Sequence, residues 1–458
     1  MTTGRLAPGR VEAAAVPRGR WPWTFGPTTL RLLLAGLVLV IPAWIDPRAA
    51  VAVVAWDIVV LAAWAMDLRR LPPPAALSIA REWSGPLTLG VPQAIRLRIG
   101  NAGGIAVDAR VTEFLSPVLR QAPADLTVRV PAADAAAVEY DVMPASRGDT
   151  AVDLIAVSYR SGAGLAERWA AVSLPQTVRV YPDIGEARRQ AFALIRARQI
   201  VMEKRRARAP GLGREFESLR EFQIGDERRD VCWTATARRG KLVSRTYRPE
   251  RSQTVWAVID AGRLMRTRRG RHTSLDAAVD AAFALAQVAS GAGDRVGLLV
   301  YGRGVQQRLL PDRGPAHLRA MLESLAVARG ETAEAAHTNA SAAVLTAQKR
   351  RALVVWFTDI AETAALPEVI ESAAHVVPQH VLVFAVPRPT DLLTLAAAVP
   401  GTERDMYRGL AAQEVVERRA TLLGHLRQRG AMVVEVGAPE LAGAIVDRYL
   451  GVKARNLI

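Results

Sequence analysis

The chain has 458 residues, half of them apolar, with a formal net charge of +16 and a single cysteine. That length accommodates two or three domains with cores of their own, and the apolar half excludes a disordered polymer. One thiol, Cys232, excludes an internal disulfide framework, and six scattered histidines offer no zinc spacing.

Residues 1–27 read as a basic tail carrying Arg5, Arg10, Arg18 and Arg20. Two apolar runs follow, Leu32 to Ile45 and Ala49 to Met66, with only Asp46, Pro47 and Arg48 between them. So short a loop predicts a transmembrane helical hairpin over 28–70, its partner the lipid bilayer through residues 28–67. The second run has the length a hydrocarbon core requires; the first reaches it when Thr28 to Arg31 join in at the headgroups. A cleaved signal peptide is disfavoured, since no small-residue cleavage site follows the first run and a second apolar run does. Arg69 and Arg70 flank the far end, so both ends, and the bulk of the chain, are expected in the cytoplasm. In a bacterium that is the inner membrane. Asp57 lies mid-run and would be costly facing lipid, which predicts that it faces the partner helix or another subunit.

Leu71 to Pro74 (LPPP) ends the second helix and reads as a stiff spacer. From 77 to 182 the pattern becomes short alternating runs such as AIRLRIG and DLTVRV, separated by turn signals NAGG and SRGD. This predicts an all-β sandwich of the immunoglobulin or fibronectin kind, with no catalytic cluster and a spacer or docking role.

Residues 186–252 form a charged connector. Arg189 to Arg208 has helical periodicity with a basic outer face. Between Ile195 and Arg251 there are 16 bases and eight acids, so half of the chain's basic excess is local. Within Gly213 to Lys241, however, six acids interleave with seven bases, which repels phosphate nearly as much as it attracts it. Nucleic acid is therefore a poor candidate partner. The segment reads as a clip in which Phe216, Leu219, Phe222 and Trp233 dock on the neighbouring domain. Its arginines (Arg214, Arg220, Arg229, Arg238) then pair with its own acids, or the whole serves as a partner-docking surface.

From 253 to 458 hydrophobic strands alternate with helices. Thr254 to Asp260, Asp294 to Tyr301, Ala352 to Asp359, His380 to Val386 and Ala431 to Val436 read as buried strands, which predicts a doubly wound, Rossmann-like α/β domain. Ligands bind such sheets beyond the carboxyl ends of the strands. Asp260 and Asp359 end two of them, and Thr338 opens the helix before the second.

Two acids and a hydroxyl from three loops resemble the metal-ion-dependent adhesion site of von Willebrand factor A domains. The resemblance implies a divalent cation such as Mg²⁺ on Asp260, Thr338 and Asp359. The first loop departs from the family's Asp-x-Ser-x-Ser, with Gly262 and Leu264 at the serine positions, so two hydroxyl ligands are missing. Strand-end acids also cap following helices, which is the plain structural alternative.

Gly213, Glu215, Phe216, Leu219, Arg220, Gly225, Asp226, Arg229, Trp233, Ala237, Arg238 and Leu242 match, in order and spacing, the signature of the bacterial domain of unknown function 58 (DUF58) family. The family usually has Asn or Asp where Cys232 stands and often Lys where Thr234 stands. Resemblance extends to the whole plan: membrane anchor, β domain, signature, A-type domain. It implies association with a MoxR-type AAA+ ATPase, as an adaptor in maturation of, or metal insertion into, client complexes. No GxxxxGK[ST] loop is present in the sequence, so the expected role is a non-enzymatic, membrane-anchored adaptor. Two alternatives stay open. One is a metal-dependent hydrolase using Asp260 and Asp359, although no further His or carboxylate completes a catalytic shell. The other is a purely structural envelope scaffold.

Overall fold

The computed structural model describes residues 10–19, 21–45, 48, 50–183, 185, 189, 215–223, 231–248, 252–270, 272–360, 366–455 and 457–458. The chain divides into two units, Met1–Tyr181 and Pro182–Ile458.

The first unit joins helices to a sandwich. Strands β1 (Val11–Ala14), β2 (Val16–Pro17) and β3 (Trp23–Phe25) precede helices α1 (Pro27–Gly36), α2 (Val40–Ile45) and α3 (Ala50–Arg70). Then come β4 (Leu77–Trp83), β5 (Leu87–Thr88), β6 (Gln93–Asn101), β7 (Val107–Glu113), β8 (Ala124–Val130), β9 (Asp134–Val142), β10 (Gly148–Ser161) and β11 (Ala166–Tyr181). One sheet runs β1-β4-β6-β9; the other runs β2-β11-β10-β7-β8, with β3 and β5 also on β11. Alternate residues of both sheets, such as Ile95, Leu97 and Ile99 against Val107, Ala109 and Val111, fill one core between them. A buried ion pair crosses it: Arg81 Nε donates to Glu113 Oε1 at 2.6 Å, and both side chains are fully buried.

Two expectations change here. The basic tail is no tail from residue 11 onward, because Val11 to Phe25 add three strands to the sandwich: β1 pairs with β4, and β2 and β3 pair with β11. Leu71 to Pro74 ends α3 as expected, but the stiff segment packs on the sandwich and does not space the helix from it. Leu71 is buried in the sandwich core and the Tyr159 hydroxyl donates to the Pro72 carbonyl at 2.7 Å, so the prolines are fixed to the β domain from their first residue.

Among the described residues, α3 is the one helix long and apolar enough to cross a membrane, and 11% of its most apolar window is buried. The first apolar run forms α1, a 3₁₀ turn at Leu37–Leu39 and α2. Trp56 of α3 donates from its indole to the Leu32 carbonyl at 3.0 Å, with Gly36 close against its ring.

In the second unit the charged signature forms a β-hairpin. Strand β12 (Glu215–Glu221) pairs antiparallel with β13 (Val243–Arg248), and helix α4 (Trp233–Arg239) stands between them, ended by Gly240 at φ +65°. Its alternation was hidden because a bulge between Phe216 and Ser218 breaks the period of two. The basic helix expected at 189–208 lies, beyond Arg189, outside the described residues.

The α/β domain contains β14 (Thr254–Asp260), the short hairpin β15 (Arg268–Arg269) and β16 (His272–Thr273), α5 (Ser274–Gly291), β17 (Arg295–Tyr301), β18 (Val305–Asp312), α6 (Pro315–Ala326) and α7 (His337–Ala347). It continues with β19 (Leu353–Phe357), α8 (Leu366–Val376), β20 (Val381–Pro387), α9 (Thr390–Ala397), α10 (Glu403–Gln428), β21 (Met432–Val436) and α11 (Leu441–Ala454). The sheet order is β18-β17-β14-β19-β20-β21, parallel except for β18. Successive residues of β14 serve opposite faces: Val255, Ala257 and Ile259 pack under α5 and α11, whereas Trp256 and Val258 pack under α7, α8 and α10. Helix α5 owes its start to a capping box between Thr273 and Asp276. Strand β18 and helix α9 were not foreseen: β18 is an edge strand, half-exposed along its length and polar enough (VQQRLLPD) to read as loop.

Candidate functional site

The carboxyl ends of β14 and β19 lie side by side where the chain's connections depart to opposite sides of the sheet, the position at which doubly wound folds bind ligands. Asp260 ends β14; Thr358 and Asp359 follow β19, and all three are buried. The Thr358 hydroxyl donates to Asp260 Oδ2 at 2.7 Å, and the Gly262 amide donates to Oδ1 at 2.6 Å. Asp260 therefore ties the two strand ends together through Oδ2 and fixes its own loop through Oδ1. Burial pushes its pKa up to about 6; the hydrogen bonds from Thr358 and Gly262 oppose the rise, and the charges of Asp359 and Glu331 add to it.

Asp359 is held by cations of the protein itself. Arg269 Nη2 donates to Oδ2 at 2.7 Å, Arg419 Nη1 donates to Oδ1 at 2.8 Å, and the Ile360 amide donates to Oδ1 at 2.9 Å. Arg419, midway along α10 and 7% exposed, also donates to the carbonyls of Ile360 and Pro387 and to Glu435 Oε1. One guanidinium thus fastens the ends of β19, β20 and β21. Arg269, on the β15–β16 hairpin, is fixed in turn by Ser274 Oγ at 2.9 Å and the Arg388 carbonyl at 3.1 Å.

Of the three residues that sequence reasoning grouped, two come together. Thr338, the second residue of α7, is exposed, and no hydrogen bond among the described residues joins its hydroxyl to either carboxylate. Thr358 takes the hydroxyl role, and its position directly before Asp359 at a strand end was a signal available in the sequence. Arg269 and Arg419 were not, since they stand 90 and 60 residues from Asp359.

The donor set does not fit a divalent cation. Asp359 already faces two guanidinium groups, and a third positive charge would meet both at close range. Asp260 keeps both oxygens on internal donors. The first loop leaves no room for the missing serine: a Cβ on Gly262 would lie 2.8 Å from the Ala335 amide nitrogen. That close approach comes from the loop pairing of Ala261 and Arg263 with Glu331 and Ala333.

Beside Asp260, Tyr301 anchors a buried relay. The Trp356 indole donates to the Tyr301 hydroxyl at 2.6 Å, which leaves the tyrosine to donate to His337 Nδ1 at 2.8 Å. Burial lowers the His337 pKa to about 4, so the ring is neutral at physiological pH. In front of Asp359 a pocket of about 540 Å³ opens, with Arg269, Asp359 and Arg419 at its floor and Leu264, Leu392 and Val415 on its walls.

Among the signature residues, Gly213, Gly225, Asp226 and Arg229 lie outside the described residues. Glu215, Phe216, Leu219 and Arg220 lie on β12; Leu219 is half-buried. Trp233 opens α4 and is 67% exposed, so it does not dock as expected, and Arg238 in the last turn is exposed too. Glu221 pairs with Lys241 at 3.2 Å. Cys232 is buried with its Sγ 3.4 Å from Thr234 Oγ1, a small filler.

Residues 218–391 match the family model described as "Protein of unknown function DUF58". This segment is similar to the DUF58 family. The DUF58 region takes in β13, β14, Thr358 and Asp359 and stops short of Arg419. An uncharacterized protein of Mycobacterium tuberculosis is 31% identical over 117 residues, which are 26% of this chain and 37% of the relative. The chain therefore spans little more than a third of that relative's length. Among solved structures it is similar to the VWA domain of SpRpn10, at 14% identity over 43% of this chain and 95% of that one, with a TM-score of 0.28. It is also similar to the conserved hypothetical protein BatB from Bacteroides thetaiotaomicron, at 15% identity over 44% of this chain and 99% of that one, with a TM-score of 0.29.

Proposed function

We propose that this protein is a membrane-anchored, cytoplasm-facing adaptor without catalytic activity of its own, whose α/β domain engages a partner at the ends of β14 and β19. The observation that carries the reading is the state of the two acids. Every oxygen of Asp260 and Asp359 accepts a hydrogen bond from the chain, and Asp359, the one of the two that lines the pocket, is neutralised by Arg269 and Arg419, which makes it a poor base for water and suits the site to recognition. This disfavours the hydrolase reading. The family resemblance supplies the partner class, a MoxR-type AAA+ ATPase or the client complex it matures, with metal insertion as one form of that maturation.

Two features support the anchor. Helix α3 is apolar and little buried, unlike the core helix of a soluble domain, and α1 with α2 lies against it as a second apolar arm. Arginines flank both ends, which favours a two-pass hairpin in the inner membrane with the domains in the cytoplasm.

The test is capture of AAA+ ATPases from detergent-solubilised membranes on the tagged full chain. Wild type should retain the ATPase, and Arg418→Glu together with Leu392→Asp, on the pocket rim, should lose it while circular dichroism is unchanged. Equal capture by both proteins would remove the pocket as the contact.

A further inference from the structure

The first unit contains a second built surface, at the end of the sandwich from which the helices leave. The turn between β10 and β11 is gripped by both helical arms. At the start of α1, the Gly26 amide and the Thr29 hydroxyl donate to the Leu165 carbonyl at 2.7 and 2.8 Å, and the Thr28 amide donates to the Gly164 carbonyl at 3.1 Å. At the end of α3, Asp67 is buried and accepts from Ser161 Oγ at 2.7 Å and from the Ala166 amide at 2.9 Å. Arg168 closes the joint by donating to the Leu68 carbonyl at 2.9 Å. With Leu71 in the core and no slack in LPPP, the helices are rigid extensions of the sandwich.

Around this joint sits a cluster of aromatic rings. Trp21, Trp23, Phe25 and Trp64 stand in edge or tilted contact, with centroids 5.0 to 5.3 Å apart, and the Trp64 indole donates to the Thr24 carbonyl at 3.3 Å. Trp21 remains 67% exposed and Phe25 38%. A soluble sandwich gains nothing from leaving such rings in water, whereas tryptophan at a bilayer interface has an apolar body in the acyl boundary and a polar N–H toward the headgroups. Arg31, in the first half of α1, and Arg69 and Arg70, at the end of α3, are exposed.

The spacing defines the other boundary. Trp44, 88% exposed, is the next tryptophan along the first arm, 19 residues beyond Phe25. Helical rise places it about 28 Å away, against a hydrocarbon thickness of about 30 Å. Beyond Arg31 the outward residues as far as Trp44 are apolar: Leu34, Leu37 and Ile41 are exposed, as are Val54 and Ile58 on α3.

We propose that the β10–β11 end of the sandwich is a bilayer-seating surface. Trp21, Trp23, Phe25 and Trp64 lie in the headgroup layer, Arg31, Arg69 and Arg70 contact phospholipid phosphates, and Trp44 lies in the opposite interface. The β domain is thereby held at a fixed height and angle on the membrane, as a collar and not as a module on a tether. This rests on the anchor reading above and adds to it where the membrane ends on the folded domain.

The experiment uses the full chain with Cys232→Ser, reconstituted in vesicles of three parts phosphatidylcholine to one part phosphatidylglycerol. Single cysteines at Thr24, Leu34, Ile58 and Glu139 carry a nitroxide, and depth is read from collision with oxygen against a water-soluble nickel chelate. Glu139 is the distal reference: through Arg96 it registers with Glu82, five residues along β4 from Leu77, about 17 Å from the helical end. Labels at 34 and 58 should report the hydrocarbon, 139 bulk water, and 24 the headgroup layer, with nickel accessibility several-fold below that at 139. Equal accessibility at 24 and 139, with 34 and 58 in hydrocarbon, overturns the collar and leaves the anchor standing. Aqueous readings at 34 and 58 overturn the anchor itself, and the collar with it.

Discussion

Arg419 on α10 and Asp359 after β19 form a buried ion pair at 2.8 Å, and the same guanidinium holds backbone carbonyls at the ends of two strands. The pair is therefore a fastening for the face of the sheet that presents the pocket.

Removing Arg419 leaves buried Asp359 with Arg269 as its one remaining counter-charge and takes the donor from Glu435 and two strand-end carbonyls. Arg419→Met should cost about 3–5 kcal/mol of stability, and Asp359→Asn less, because Asn still offers an acceptor to Arg269. Urea denaturation of the full chain in detergent, followed by Trp fluorescence, measures both. A loss within error for Arg419→Met would remove the fastening role.

Metal should have no effect. With Asp359 neutralised by Arg269 and Arg419, millimolar Mg²⁺ or Mn²⁺ is expected to leave the melting temperature and the titration calorimetry baseline unchanged, and EDTA likewise. A saturable heat with Mn²⁺ would contradict the reading of the donor set. Gly262→Ser, which restores a ligand of the adhesion-site pattern, should destabilise the domain without gaining a cation, since its Cβ would press on the Ala335 amide.

Asp260 and His337 give opposite pH dependences. The Asp260 pKa is raised from 3.8 to about 6, so its folded form holds the proton more tightly; its contribution is full below pH 3.8, is lost as pH rises through 6, and is flat above. His337, lowered from 6.5 to about 4, contributes fully above pH 6.5 and loses that contribution as pH falls toward 4. Between pH 4 and 6 the two largely offset each other in wild type. Asp260→Asn should unmask the histidine, giving a melting temperature that climbs with pH across that window more steeply than wild type. Parallel curves for the two proteins would exclude the shifted carboxyl.

Tyr301→Phe removes the centre of the relay and leaves the Trp356 indole and His337 Nδ1 buried without it. A loss of about 1–3 kcal/mol is expected, with Tyr301→Phe/His337→Leu closer to wild type than the sum of the single changes. Additive losses would show that the two residues are not coupled.

Much of this architecture was legible from periodicity. Alternation in AIRLRIG gave β6, near-continuous apolar runs gave the central strands β14, β17, β19 and β20, and their acids Asp260 and Asp359 were found because a doubly wound sheet exposes its strand ends. Edge elements were harder to read. Strand β18 carries polar residues on a half-exposed face and a bulge breaks the period of β12, so their sequence is compatible with loop, and the N-terminal strands are too short for any period to register.

Local chemistry therefore determined which segments are strands, which helix is apolar enough for a bilayer, and which acids reach the sheet's active edge. Tertiary structure alone decided what those acids face. Arg419 reaches Asp359 only after α10 folds across the strand ends, and Arg269 only once the β15–β16 hairpin is placed beside them, while Val11 to Phe25 become part of a sandwich only when β4 and β11 offer them unpaired edges. Backbone periodicity is written over a few residues and survives in sequence; a charge's partner depends on long-range packing, and a sequence holds no local trace of it.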